Sequence, residues 1–196
     1  VHCFIACSVQ AITNNFAPLL FLVFQERFHL ELSKITLLIT LNFLVQLITD
    51  FSSTLFVDRI GYRISFVLAH FLSALGLVSL ALLPKLIDPF IGLLLAVIMY
   101  AIGGGLIEVL NSPIVAALPA DNKEKTMSLL HSFYCWGHVA VVLISTLLFK
   151  VLGMQHWGIV ACLWALIPLY NMIAFMKVPL VEVISEEEVG MSFKEL

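Results

Sequence analysis

Charge is scarce in this sequence. Asp, Glu, Lys and Arg make up 12% of its 196 residues, where a soluble domain carries about 25%. The formal net charge is only −3. No basic run and no aromatic-plus-basic stripe occurs, so no nucleic-acid partner is expected. Cysteine is scarce as well. Cys3, Cys7, Cys135 and Cys162 form no CxxC pair and no Cys/His cluster with zinc spacing, which argues against a redox motif or a metal site. All four fall in apolar stretches and read as buried free thiols. An initiator Met and a basic n-region are also missing. The first apolar segment is too long for a signal-peptide core, and Val1 reads as a trimmed start.

Apolar residues are abundant instead, at 61%, with a mean hydropathy of +1.07. A soluble domain has about 45–50%. In water such a chain exposes large apolar patches that aggregate; in lipid the problem disappears. A spanning helix needs about 20 mostly apolar residues, and six such stretches can be drawn, at 3–24, 34–57, 62–83, 89–118, 126–152 and 157–176. Gln25-Glu26-Arg27 is expected to end the first. Ser33 is a candidate N-cap for the second. Pro84 is expected to stop the third and Gly153 the fifth. Pro89 suits a first helical turn, and Pro113 and Pro168 lie inside the fourth and sixth. Barrel strands alternate over about 10 residues and do not match these runs. The expected fold class is an all-α membrane protein of six transmembrane helices.

Short loops make sequential helices alternate in direction. With the N-terminus inside, Arg59, Arg63, Lys123, Lys125, Lys177 and Lys194 are cytoplasmic, and Arg27, Lys34, Lys85 and Lys150 are outside. The bias favours this orientation. It makes the acidic stretch at 178–196 a cytoplasmic linker. The expected location is the plasma membrane, of the bacterial inner-membrane kind.

The turn between the second and third stretches reads Asp58-Arg59-Ile60-Gly61-Tyr62-Arg63. Gly61 permits a very tight turn. On residues alone this is a solvated loop with topology-setting arginines, or something more. It resembles the second half of motif A of the major facilitator superfamily, G-x-L-a-D-R-x-G-R-R, at the position where that family carries it. Thr54 stands where the family prefers Gly, and Phe56 where it prefers Leu. The resemblance implies a gating latch made by Asp58, Arg59, Gly61 and Arg63.

Glu108 is the sharpest single residue. It lies roughly 27 Å along its span, at ~1.5 Å per residue, within the membrane and to the cytoplasmic side of the middle. An acid at a helix centre costs about 2.5–3.5 kcal/mol on insertion scales and faces a cavity or a partner. Two roles fit: a group that holds and releases a proton, or a structural glutamate bonded to a neighbouring helix. Asn111 and Ser112 share its face. Gly103, Gly104 and Gly105 precede it and permit close helix approach. No strand leads into them and nothing reads GxGxxG, so a phosphate or dinucleotide loop is rejected and no cofactor is expected. The run from Gly105 to Pro113, and the fifth stretch from Met127 to Gly137, resemble the fucose–proton symporter branch of the superfamily. That resemblance implies a proton-coupling role for Glu108 and for His131.

Polar stripes mark four of the six helices. Gln10, Thr13, Asn14 and Asn15 lie on the first; Asn42, Gln46, Thr49, Asp50 and Ser53 on the second. The fourth carries Glu108 and Asn111. The fifth carries Ser128, His131, Ser132, Cys135 and His138, with Tyr134 and Trp136 beside them. Each stripe is expected to face inward, where hydrogen bonds replace lipid contact. The third helix reads as an outer helix almost free of polar residues. Amide edges beside aromatic rings suit a sugar, which makes Asn14, Asn15, Asn42, Gln46, Asn111, Tyr134 and Trp136 candidate substrate-binding residues. In the superfamily, helices one, two, four and five line the N-terminal side of the central cavity.

These observations point to the N-terminal six-helix half, two inverted three-helix units, of a carrier. Its expected partners are the lipid bilayer, a small polar solute, a proton and a missing C-terminal six-helix half. The antiporter signature of helix five is absent after Gly137, which leans toward symport or uniport. An inactive or partner-requiring piece of a carrier is the first alternative. An intramembrane enzyme pairing Glu108 with His131 or His138 is the second, but no HExxH, GxSxG or paired-Asp motif supports it.

Overall fold

The structure is a computed structural model that describes residues 1–119 and 122–178. The acidic stretch expected as a linker lies, beyond Val178, outside the described residues. Among the described residues every regular element is helical, and six helical segments are long and apolar enough to cross a membrane. Helices close their own backbone hydrogen bonds, which lipid demands.

The first span is broken in the middle. α1 (His2–Asn15) passes through a 3-10 turn (Ala17–Leu20) into α2 (Phe21–Phe28). Pro18 sits in that turn. It has no N–H to donate and its ring crowds the preceding turn, so the α-ladder tightens there. The polar cluster Gln25-Glu26-Arg27 does not end the span. These residues are good helix formers, and Arg27 suits a last turn. The helix stops at His29, which is left-handed with φ 50°.

α3 (Leu32–Ile60) starts after Glu31; Ser33 lies inside its first turn and donates to the Glu31 carboxylate at 3.2 Å instead of capping. Gly61 has φ 92°, a conformation that a Cβ disfavours. Through it α3 gives way to α4 (Tyr62–Leu86) in a single residue. Pro84 does not stop α4. It sits in the last turn, and the Ile87 N–H still reaches the Leu83 carbonyl at 3.1 Å. α5 (Pro89–Ala117) opens on Asp88, whose carboxylate accepts from the Ile91 N–H at 3.0 Å, and it runs through Pro113. α6 (Lys123–Leu152) opens on Asn122, which accepts from the Lys125 N–H at 2.8 Å, and ends at Gly153 with φ 85°. A 3-10 turn (Met154–His156) leads into α7 (Trp157–Lys177).

Small residues set the packing around α5. A Cβ on Gly103 would overlap the Ser73 hydroxyl and lie 2.6 Å from the Ala69 carbonyl of α4. One on Gly104 would lie 2.9 Å from Thr13 Oγ1 of α1, and one on Gly105 3.0 Å from Asp50 Oδ1 of α3. Three consecutive glycines thus admit three different helices. α4 lies between α5 and α7, and α1 packs against both α5 and α6. The most open helices are α3 and α6, whose apolar windows are only 28% and 22% buried, against 61% for α5.

The third span is not an almost apolar outer helix. α4 buries Ser65, His70, Ser73 and Ser79 and packs on two neighbours. These side chains escape notice in the sequence because two of them turn back on their own helix. Ser73 Oγ donates to the Ala69 carbonyl at 2.9 Å, and His70 Nδ1 lies 2.8 Å from the Phe66 carbonyl. His70 Nε2 is left to accept from Asn171 Nδ2 of α7 at 2.8 Å. Asn171 also donates to the His2 carbonyl at 3.1 Å, so one amide joins α1, α4 and α7. Asn171→Leu strips His70 of its donor in an apolar interior. The expected cost is about 1–3 kcal/mol, read by unfolding in mixed micelles. The double variant with His70→Leu is expected to lose less than the sum of the two single variants.

The thiols divide. Cys3 and Cys7 are buried, but Cys135 and Cys162 are exposed. At these two positions the apolar neighbours in the sequence mark an outward face of the bundle, not its core.

Candidate functional site

A cavity of about 280 Å³ opens between α1, α5 and α6, lined by Cys7, Gln10, Glu108, Asn111, His131 and Tyr134 among others. It exists because α6 packs mainly on α1 and only lightly on α5. A Cβ on Gly137 would lie 3.0 Å from the Ala11 Cβ, so the glycine draws α6 toward α1 and leaves a gap beside α5. Glu108 stands in that gap. It is exposed, where the sequence suggests a buried acid. Its Oε2 accepts a hydrogen bond from Gln10 Nε2 at 2.8 Å. Asn111, one turn along, is 3% exposed. Its amide donates to the Cys3 carbonyl at 3.0 Å and to Cys7 Sγ at 3.1 Å, and its Oδ1 is left without a donor. His131 lines the cavity from α6 with an exposed ring.

Toward the middle of the membrane a second polar group centres on Asn14. Its Oδ1 accepts from Gln46 Nε2 at 2.7 Å and from Asn42 Nδ2 at 3.4 Å, both on α3. Its Nδ2 donates to the Tyr134 hydroxyl of α6 at 3.2 Å. Asn15 donates to the Ala11 carbonyl at 2.7 Å and lies 2.8 Å from His138 Nδ1. The His138 ring stands edge-on to Tyr134 with centroids 4.3 Å apart. Asn14, Asn42, Gln46 and Tyr134 are therefore one connected network across α1, α3 and α6, with Asn15 and His138 beside it.

The stripe on α3 is the helix's buried face: Asn42, Gln46, Thr49 and Ser53. The stripe on α6 is not. Its buried residues are Leu130, Gly137, Val141, Ser145 and Phe149, while Ser128, His131, Ser132 and Cys135 are exposed. Gly137 decides this, since it turns its own side of α6 to α1. Trp136, adjacent to it, points outward at 70% exposure and does not line the cavity, unlike Tyr134.

The charged turn lies at the end of the bundle that also holds the ends of α5 and α7. Asp58 and Arg59 are exposed. Arg63 binds within the unit: its Nη1 donates to the Phe175 carbonyl at 3.0 Å and to the Met176 carbonyl at 3.5 Å. A cation on the last carbonyls of α7 suits that helix end.

Gln10 and Cys7 join the site without having been singled out beforehand. Gln10 sat in a polar stripe, and that stripe was the available signal. Cys7 had none, because a thiol in an apolar run carries no directional mark. The model of the Major Facilitator Superfamily matches residues 3–190 of the chain. Comparison with curated proteins found no match, and comparison with solved structures found none. The family match spans nearly the entire sequence, and together with six membrane-length helices it assigns the chain: this protein belongs to the major facilitator superfamily, whose members move solutes across membranes.

Proposed function

We propose that this chain supplies the N-terminal side of a carrier for a small polar solute, a sugar, working by alternating access with proton coupling. The observation that supports this most is the cavity itself. An acid held by one amide, Glu108 on Gln10, shares it with an orphan acceptor on Asn111 and the ring of Tyr134. An orphan acceptor suits a hydroxyl donor, and ring faces suit the apolar faces of a sugar. The likeness to the fucose–proton symporter branch points the same way. Glu108 is then the proton-coupling residue with His131 at the rim, and Asn14, Asn15, Asn42, Gln46, Asn111 and Tyr134 bind the solute.

A second six-helix half completes the carrier in this proposal. The open flanks of α3 and α6 support it, since they leave polar as well as apolar side chains uncovered. Rocking of the two halves around the site gives alternating access. The turn at Asp58, Arg59, Gly61 and Arg63 latches the cytoplasmic side, with both ends of the chain facing the cytoplasm of the plasma membrane.

The test is uptake of labelled L-fucose, D-galactose, D-xylose and D-glucose by cells expressing the full-length carrier. At least one sugar is expected to be taken up and to compete with the others. Tyr134→Phe removes the acceptor for Asn14. It is expected to raise KM about fivefold with kcat unchanged, the size of one neutral hydrogen bond of about 1 kcal/mol. Competition by amino acids or organic anions, and by none of the sugars, contradicts the substrate class. Labelling of the chain by a covalent hydrolase probe would favour the enzyme alternative.

A further inference from the structure

A groove of about 360 Å³ runs between α4 and α7 on the outside of the bundle, away from the solute cavity. Its size is that of a small-molecule site, about 300–1,000 Å³. Ala74 and Ala165 form its floor and are buried. Leu75, Leu166 and Leu169 rise around them and are exposed. Among the described residues no charged or amide side chain lines it. An unfilled groove leaves these walls without contact atoms on one side. Its occupant is therefore slender and apolar.

The groove has a charged mouth. Lys85 stands two turns beyond Val78 on α4, and Gly158 one turn before Cys162 on α7, so both continue the faces that line the groove. A Cβ on Gly158 would lie 3.3 Å from Lys85 Nζ and 3.5 Å from the Ala81 Cβ. The glycine is thus the seat where the lysine crosses onto α7. The ammonium lies 5.4 Å from the centroid of the Trp157 ring. Lys85 is exposed, and among the described residues no carboxylate pairs with it. Asp88, three residues on, caps α5 instead. Along α4, Val78 is about 10 Å from Lys85 and Phe71 about 21 Å, at ~1.5 Å per residue. One leaflet of the apolar core is about 15 Å deep, half of ~30 Å. The groove therefore reaches from near the headgroup level to the middle of the bilayer.

We infer that this groove binds one phospholipid, with an acyl chain lying between α4 and α7 and the phosphate on Lys85. The charge selects this occupant. An unpaired cation at one end of an apolar channel calls for an anion joined to a hydrocarbon chain. A neutral lipid fills the channel but leaves Lys85 unpaired. A second copy on a two-fold axis brings the same patch, so concave meets concave and the space stays empty. Arg63 already ties one end of α4 to the last carbonyls of α7. The lipid ties the opposite end.

The test uses the full-length carrier, stripped of lipid in dodecyl maltoside. Phosphatidylglycerol with a diazirine on one acyl chain is added, irradiated, and located by peptide mass spectrometry. Label is expected at 71–78 and 162–169. Excess unlabelled phosphatidylglycerol is expected to displace it, and diacylglycerol is not. Lys85→Gln alters an exposed side chain and is expected to lower labelling about threefold, the size of an exposed ion pair. Ala165→Phe fills the floor and is expected to remove the label. Should that variant misfold, Lys85→Gln and the competition on the unaltered carrier still decide. Label spread evenly over the exposed faces of α3 and α6 as well overturns the site. Label that ignores Lys85→Gln, or that diacylglycerol displaces equally well, removes the phosphate and overturns the proposal. A Cys162–Cys162 cross-link between two copies that excludes the probe makes the groove an interface and also overturns it.

Discussion

Glu108→Gln in the full-length carrier is expected to abolish accumulation of solute against its gradient. Gln is nearly the same size, and its carbonyl can still accept the bond that Gln10 Nε2 makes at 2.8 Å. Only the ability to take up a proton is lost. In the proposed carrier the cavity stays open and the two halves still rock, so exchange of labelled for unlabelled solute is expected to continue. Uptake therefore falls to the equilibrium level, and no imposed pH gradient raises it. The comparison is between energised accumulation and counterflow in the same vesicles. A variant that accumulates solute as well as the wild type removes Glu108 from proton coupling. One that loses exchange as well makes Glu108 a structural or binding residue.

The largest expected effect on stability comes from enlarging Gly103. The added Cβ would overlap the Ser73 hydroxyl, but the harder contact is the Ala69 backbone carbonyl at 2.6 Å. Ser73 can rotate away, whereas the carbonyl moves only if α4 moves. α4 in turn is held by α7 and by the His70–Asn171 bond. Overpacking of this kind costs about 1–3 kcal/mol, and Gly103→Val is expected to exceed Gly103→Ala. Both are read as loss of monodisperse protein after extraction and as a lower unfolding midpoint. Gly104→Ala is expected to be milder. Its contact at 2.9 Å is the Thr13 hydroxyl, the end of a side chain that can turn.

The six crossings were legible because length and apolarity alone decide them. Gly61 and Gly153 marked helix ends for a local reason, since each takes a positive φ. Side-chain direction was harder to read. The α6 stripe was expected inward, yet its orientation depends on where Gly137 meets Ala11, a contact between distant parts of the chain. Trp136 followed that helix outward and Tyr134 stayed in. The polar interior of α4 was missed because Ser73 and His70 bond their own backbone, which leaves no stripe. Arg63 matched a motif, but its attachment to the end of α7 depends on how the helices meet. Asp50 was visible within a stripe; only the fold places it over Gly105.

Coupling is the central claim, and proton movement tests it most directly. De-energised cells expressing the carrier are suspended in weak buffer, a transported sugar is added, and external pH is followed with an electrode. The expected result is a transient alkalinisation of the medium as protons enter with the sugar, absent in Glu108→Gln. Sugar entry at the wild-type rate with no pH change would contradict the proposed coupling.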